Sequence, residues 1–206
     1  MDCQFCTEFS THGSTTRIIT ETAGGWVLLP TVGALTPGYC LFMPREHLDA
    51  AADVSAARLE RVAAEAEAMR GLIQARYGPV VLAEHGPRDC ELGASCCSHC
   101  HLHLIPVPDP DAITAAYRRT GGSGLRLSSL AALPAAADGS YLYLSPRPDE
   151  HYYWPSAGFA RQFVRRVCAD QLGVGERFDW RDHPFASHGE RTFTELSADL
   201  RPAKAA

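Results

Sequence analysis

His99-Cys100-His101-Leu102-His103-Leu104-Ile105 is the stretch around which the rest of the chain is organised. Three histidines alternate with Cys100, Leu102 and Leu104, and the run closes on Ile105. In an extended strand, successive side chains point to opposite faces. The pattern therefore predicts a strand with one apolar face toward a core and one imidazole face. From the strand rise, neighbouring histidines stand roughly 6.5–7 Å apart and the outer two roughly 13 Å apart. One metal ion can bridge an adjacent pair but cannot hold all three, so the row implies more than one role. A core is not stabilised by three imidazoles, because each buried one needs hydrogen-bond partners. The imidazole face is therefore read as the chemical one.

Moving upstream, Val80-Val81-Leu82-Ala83 reads as a short buried strand that runs into Glu84-His85-Gly86. Cys90, Cys96 and Cys97 crowd the loop between that strand and His99, as incidental loop residues or as an oxidation-sensitive or metal-scavenging cluster. Residues 55–77 carry Leu59, Val62, Ala66, Met69, Leu72, Ile73 and Tyr77 at three- and four-residue steps, the signature of an amphipathic helix. Ser55 is its expected cap, Gly78-Pro79 its stop, and Arg58, Glu60, Arg61, Glu65, Glu67 and Arg70 its solvated face. Pro37-Gly38 marks a turn, followed by the apolar strand Tyr39-Cys40-Leu41-Phe42-Met43-Pro44 and then Arg45-Glu46-His47-Leu48. Residues 16–20 and 25–30 read as two short strands, and the chain opens on the C-x-x-C of Cys3 and Cys6.

Downstream, Pro108 and Pro110 break the strand, and residues 111–119 read as a short helix. Residues 120–124 are a flexible link of small residues. Residues 140–144 and 151–154 read as a hairpin. A second helix is expected over 159–172, with Phe159, Phe163, Val164, Val167 and Leu172 inward and Arg161, Arg165 and Arg166 elsewhere. The tail from Glu176 is weakly patterned, and its end is expected to fray. No internal repeat is present. Short strands joined by tight turns favour antiparallel pairing, and one long helix can cover a face. The expected class is an α+β antiparallel sheet: a core over residues 1–110, and an extension over 111–206 that packs on the core rather than forming an independent domain.

The bulk properties exclude several function classes. The 206 residues are 46% hydrophobic and 21% charged, with a net charge of −5. That balance argues against a nucleic-acid coat or a membrane-surface binder. No apolar run approaches the roughly 20 residues of a membrane span. The N-terminus shows neither a basic segment nor an apolar core of a signal peptide, so a reducing, cytoplasmic setting is expected. There the eight cysteines are not a disulfide framework. Cys40, Cys100 and Cys168 fit apolar packing positions, and Cys3 and Cys6 are candidate metal ligands or a redox pair.

With these segments laid out, the chain resembles the histidine-triad superfamily. The stretch 99–105 is similar to His-φ-His-φ-His-φ-φ with cysteine at the first φ, where it acts as a small hydrophobe. Residues 38–47 resemble the family's Gly-x-φ-φ-φ-φ-Pro-x-x-His strand. Cys3-x-x-Cys6 resembles the zinc half-site of many bacterial members and of the related hexose-1-phosphate uridylyltransferases. The resemblance spans residues 3–107. It implies a five-stranded antiparallel sheet with helices, usually a homodimer. It also implies nucleotide hydrolysis or nucleotidyl transfer at the α-phosphate of a nucleotide conjugate.

In that reading His101 is the nucleophile and His103 a donor to the phosphate oxygens. Ser95 or Ser98 supplies a further contact, with the choice between them left open by a shifted Gly93-Ala94-Ser95 register. Carried over residue by residue, Cys3, Cys6, His47 and His99 form a closed structural zinc site; in relatives without zinc, the equivalent of His47 lies near the active site. His85 is a candidate for the site mouth or a structural turn. Trp26, with Phe5 and Leu28, is a candidate to sandwich a base, or is core. Arg147, Arg165 and Arg166 are candidate cations for a leaving group, or surface. His151, Tyr152, Tyr153 and Trp154 either roof a pocket or pack a hairpin. Two other functions fit the residues: a nucleotide-binding scaffold without catalysis, and a catalytic metal held by His101 and His103.

Overall fold

A computed structural model describes residues 3–11, 17–87 and 99–201. In chain order the helices are α1 (Gln4–Thr11), α2 (Ala56–Tyr77), α3 (Pro110–Gly121), α4 (Leu133–Ala136), α5 (Phe163–Gln171) and α6 (Ala186–Asp199). The strands are β1 (Thr20–Glu21), β2 (Trp26–Pro30), β3 (Cys40–Pro44), β4 (Val80–Gly86), β5 (Leu102–Pro106), β6 (Leu125–Leu127), β7 (Tyr141–Arg147) and β8 (Glu150–Pro155). They form one sheet in the order β1-β2-β3-β5-β4-β7-β8-β6. Every pairing in it is antiparallel.

The expected five strands are therefore eight. The difference arises in the extension, whose hairpin β7–β8 continues the core's sheet. Leu82 through Gly86 of β4 pair with Ser145 through Tyr141 of β7. Between the two strands, Glu84 accepts hydrogen bonds from the Ala51 amide at 2.8 Å and from the Tyr141 hydroxyl at 2.6 Å. Burial pushes this carboxyl's pKa up, and the two donors pull against that shift.

Alternation in the strands separates two cores. On one side Trp26, Leu28, Phe42, Leu102 and Leu104 meet Leu59, Val62, Ala66 and Ile73 of α2. On the other, Leu29, Leu41, Ala83, Ile105 and Leu144 meet Ile113 and Tyr117 of α3 and Phe163, Val164 and Val167 of α5. Each fully buried aliphatic side chain contributes about 1.5–3 kcal/mol relative to exposure. The sheet is thus covered on both faces, with β5 near its middle.

Four local expectations need correction. Ser55 precedes α2, but its side chain makes no capping hydrogen bond. Arg70, expected on the solvated face of α2, is 2% exposed and reaches the Ser145 hydroxyl of β7 at 2.7 Å, because the extension covers that flank. The second helix begins at Phe163 rather than at residue 159, since Gln162 takes a left-handed φ of 58°. The tail from Glu176 contains α6, which buries Thr192 and Leu196 and anchors to the sheet side through Thr192 and the Gly38 amide at 2.7 Å. Gly38 has φ +87°, and a Cβ there would lie 2.4 Å from the Tyr77 ring. Only glycine fits that turn. Among the described residues no helix is long and apolar enough to cross a membrane.

Candidate functional site

The two ends of the histidine run go to different places. His99 to His101 precede β5, and the chain is held there by the Cys100 amide, which donates to the Leu48 carbonyl at 2.6 Å. Freed from the ladder, His101 turns back, and its ring centroid lies 4.7 Å from that of His103. This is closer than the ideal strand spacing predicts.

His99 is fully buried under α1, with the Phe5 ring 5.5 Å and the Phe9 ring 6.1 Å away. Its Nε2 is 2.9 Å from the Pro44 carbonyl oxygen. A carbonyl only accepts, so Nε2 carries the proton and Nδ1 presents a lone pair. That nitrogen lies 3.3 Å from Cys3 Sγ and 3.6 Å from Cys6 Sγ. His47 brings its Nδ1 to 3.3 Å from Cys6 Sγ, while its Nε2 is 3.4 Å from the Asp49 carboxylate. The four ligand atoms lie within 4.8 Å of one another. The cluster could hold a metal ion. Sulfur and nitrogen ligands of tetrahedral zinc are separated by roughly 3.5 Å, given metal–sulfur and metal–nitrogen bonds of ~2.3 and ~2.0–2.1 Å. Burial lowers the pKa of His99, which keeps that imidazole in its ligating, neutral form.

On the α5 side of the sheet, His101 Nδ1 is 2.6 Å from the His99 carbonyl oxygen. By the same logic Nδ1 is protonated, and the lone pair sits on Nε2. His103 pairs across the sheet with Leu41 and Ala83, and its Nδ1 is 2.8 Å from the Tyr39 hydroxyl. Its Nε2 is buried and has no hydrogen-bond partner among the described residues. Leaving such a nitrogen unpaired costs about 1–3 kcal/mol. His85 lies edge-on to His103 at 5.3 Å and accepts at Nε2 from the Val164 amide at 3.1 Å. Burial, then the neighbouring charges of His101 and Arg165, hold His85 down at about 3. Burial likewise keeps His103 well below the usual histidine range, so both are neutral near pH 7.

His101 and His103 open onto a recess of about 60 Å³, which Phe5, Leu41, Arg165 and Trp180 also line. Arg165 is 3% exposed, not at the surface. Its Nε donates to the Phe178 carbonyl at 2.8 Å and its Nη2 to the Gly33 carbonyl at 2.6 Å. Its guanidinium lies 5.4 Å from the centre of the Tyr39 ring.

The structure thus brings Cys3, Cys6, His47 and His99 together, and sets His101, His103 and His85 side by side on the other flank of the run. It does not bring Trp26 to them. Trp26 is fully buried in the opposite core, its ring 5.3 Å from Phe42. Leu28 lies in that core too, whereas Phe5 faces the histidines at 6.0 Å from His101. Ser95 and Ser98, like Cys90, Cys96 and Cys97, fall outside the described residues. Among the described residues, His101 and His103 belong to no group of three or more metal-capable side chains. His151 bonds the Tyr143 hydroxyl at 2.7 Å and packs the hairpin. Arg147 pairs with Asp111 at 2.7 Å on the surface. Sequence reasoning missed Tyr39 as a partner of His103, although its position two residues before Leu41 put it on the same strand face.

No family model and no curated protein matches this chain. Among solved structures it is similar to the crystal structure of a hypothetical histidine triad nucleotide-binding protein from Sulfolobus tokodaii strain 7. That similarity covers 50% of this chain and 68% of that chain, at 16% identity and a TM-score of 0.42.

Proposed function

We propose that this chain is a nucleotide hydrolase or nucleotidyltransferase that acts at the α-phosphate of a nucleoside 5′-phosphoryl conjugate, with His101 as nucleophile. The observation that carries the reading is the bond between His101 Nδ1 and the His99 carbonyl, 2.6 Å long. It fixes the tautomer that leaves a lone pair on Nε2, beside a second imidazole whose own Nε2 is buried and unpartnered. A neutral, oriented imidazole is nucleophilic near pH 7.

In the first step His101 Nε2 forms a bond to the α-phosphorus, and the bond from phosphorus to the leaving group breaks with its electron pair going to the leaving group. In the second, water or another acceptor attacks phosphorus and the phosphorus–nitrogen bond breaks, which returns the imidazole. Charge gathers on the nonbridging oxygens in both steps, so hydrogen-bond donors are what the site must supply. With Tyr39 donating to His103 Nδ1, the proton of His103 sits on Nε2 and serves those oxygens.

Zinc is the metal that fits Cys3, Cys6, His47 and His99, since two thiolates and two imidazoles make a closed tetrahedral set with no position left for substrate. Such an ion is structural: it would tie α1 to the segment that carries His101. The carbonyl of Pro44 and the carboxylate of Asp49 orient the two imidazoles from behind.

The test is His101→Ala against a panel of dinucleoside polyphosphates, nucleoside phosphoramidates, nucleotidyl sugars and nucleotidyl sulfate. Turnover of whichever conjugate the wild type cleaves is expected to fall at least 10³-fold, on the order of what loss of a covalent nucleophile removes. Zinc content and fold are expected to stay. Full activity in the variant would sink the mechanism.

A further inference from the structure

We infer that Arg165, contributed by α5 of the extension, is the anion-binding residue of the recess and seats a phosphoryl group between itself and His103. The inference rests on the phosphoryl-transfer reading for the identity of the anion, but not for its charge.

Arg165 is a permanent cation that is 3% exposed. Burying a charge is unfavourable unless an opposite charge meets it. Yet none of the ion pairs among the described residues includes Arg165 within 4.0 Å. Among the described residues its hydrogen-bond partners are neutral carbonyls, on Phe178 and Gly33. They use two of the five guanidinium N–H groups and hold the head in place without cancelling its charge. The nearby acids are engaged elsewhere. Glu8, on the wall of the recess, pairs with Arg17 at 2.5 Å. Asp179 accepts from the Arg181 amide at 3.0 Å, and the Arg165 charge is the last and smallest of the influences on that carboxylate. The recess therefore holds one net positive charge.

The site is built rather than incidental. Gly33 has φ +72°, and a Cβ on it would lie 2.5 Å from Trp180 Cβ and 3.0 Å from Arg165 Nη2. Only glycine lets that carbonyl grip the guanidinium so closely. A second observation points the same way from the other wall. His103 Nε2 is buried with no partner among the described residues, in the same recess. A phosphoryl group satisfies both at once, because its oxygens accept from the imidazole N–H and from the guanidinium fork.

The experiment measures binding of adenosine 5′-monophosphate, adenosine and inorganic phosphate to the zinc-loaded wild type, Arg165→Gln and Arg165→Lys. Calorimetry reads the nucleotide and nucleoside. Saturable stabilisation against heat in phosphate, relative to chloride at equal ionic strength, reads the free anion. The wild type is expected to bind the monophosphate at least tenfold more tightly than adenosine. Arg165→Gln, with circular dichroism and zinc content unchanged, is expected to lose about tenfold or more of monophosphate affinity while adenosine binding stays within about twofold. Arg165→Lys is expected to keep part of the difference.

A folded Arg165→Gln that binds the monophosphate as the wild type does would overturn the assignment and leave the nucleotide reading standing. Should Arg165→Gln fail to fold, the wild type and Arg165→Lys decide. Saturable phosphate stabilisation that weakens in the lysine variant supports the seat, and its absence from the wild type overturns it. If phosphate binds through Arg165 but adenosine adds nothing to it, the anion seat stands and the nucleoside reading fails.

Discussion

At the scale of single residues, backbone atoms decide what the imidazoles can do. The Pro44 carbonyl assigns the lone pair of His99 to Nδ1, the His99 carbonyl assigns that of His101 to Nε2, and the Val164 amide takes that of His85. His99 and His101 are two residues apart and are set to opposite tautomers, one aimed at the sulfurs of Cys3 and Cys6 and one at the recess. His85 also carries a pH signature. Its pKa in the fold is about 3, against an ordinary value of 6.5. Below the ordinary value the unfolded chain takes up a proton that the fold refuses, so stability falls as pH drops from there until about 3 is reached. Glu84, whose pKa burial raises, works in the opposite sense, keeping its proton in the fold and giving up stability as pH rises through that raised value. Urea denaturation of the wild type and His85→Asn isolates the histidine. Between pH 6 and 5 the wild type is expected to lose about 1 kcal/mol more than the variant. Equal losses would mean that His85 is charged in the fold.

At the scale of elements, legibility follows the range of the signal. The strand face holding His101 and His103 could be read because period-2 alternation is local to the run. The spacing of Cys3 and Cys6 marks them as candidate ligands, but their grouping with His47 and His99 is what the family resemblance implies, since partners about forty and ninety residues away leave no local pattern. α1 was not read, because its apolar residues Phe5 and Phe9 find their partners in His99 and His101, nearly a hundred residues away. Arg165 stays open between a leaving-group cation and a surface residue for a related reason. It lies off the apolar stripe of its helix, and the carbonyl that holds it inside, that of Gly33, is 132 residues away. Trp26 is a candidate for the site only while the strand's two faces cannot be told apart; its packing with Phe42 in the α2-side core decides the face. Since Cys3 and Cys6 bracket the start of α1, metal removal is predicted to loosen that helix first. Cys6→Ser, or exhaustive chelation, is expected to abolish stoichiometric zinc, lower the thermal midpoint by several degrees and expose α1 to protease. A Cys6→Ser protein with unchanged midpoint and protease pattern would show that the cluster does not support the helix.

At the scale of the whole molecule, the sheet runs through what the sequence divides. The Gly-rich link over 120–124 is too short to mark a domain boundary, and residues 111–206 read as an extension packed on the core; that its hairpin continues the core's own sheet is not legible, because a strand pairing about sixty residues away leaves no trace in local composition. β4 is an interior strand only because β7 pairs with it, and Arg165 reaches the recess only because α5 carries it there, where the Phe178 carbonyl holds it. Residues 1–110 expressed alone are therefore predicted to lack a cooperative unfolding transition, with β4 left as a hydrophobic edge. A soluble fragment with a sharp thermal transition would show that the core folds without its extension. The central claim, however, is covalent chemistry at His101, and one measurement addresses it directly. The wild type is mixed with a conjugate that it cleaves, quenched in alkali within a single turnover, and digested for mass spectrometry. The account predicts a peptide containing His101 heavier by one nucleoside monophosphoryl group, and no such peptide from His101→Ala. Complete turnover of the conjugate with no adduct at any quench time, or an adduct on another residue, would contradict it.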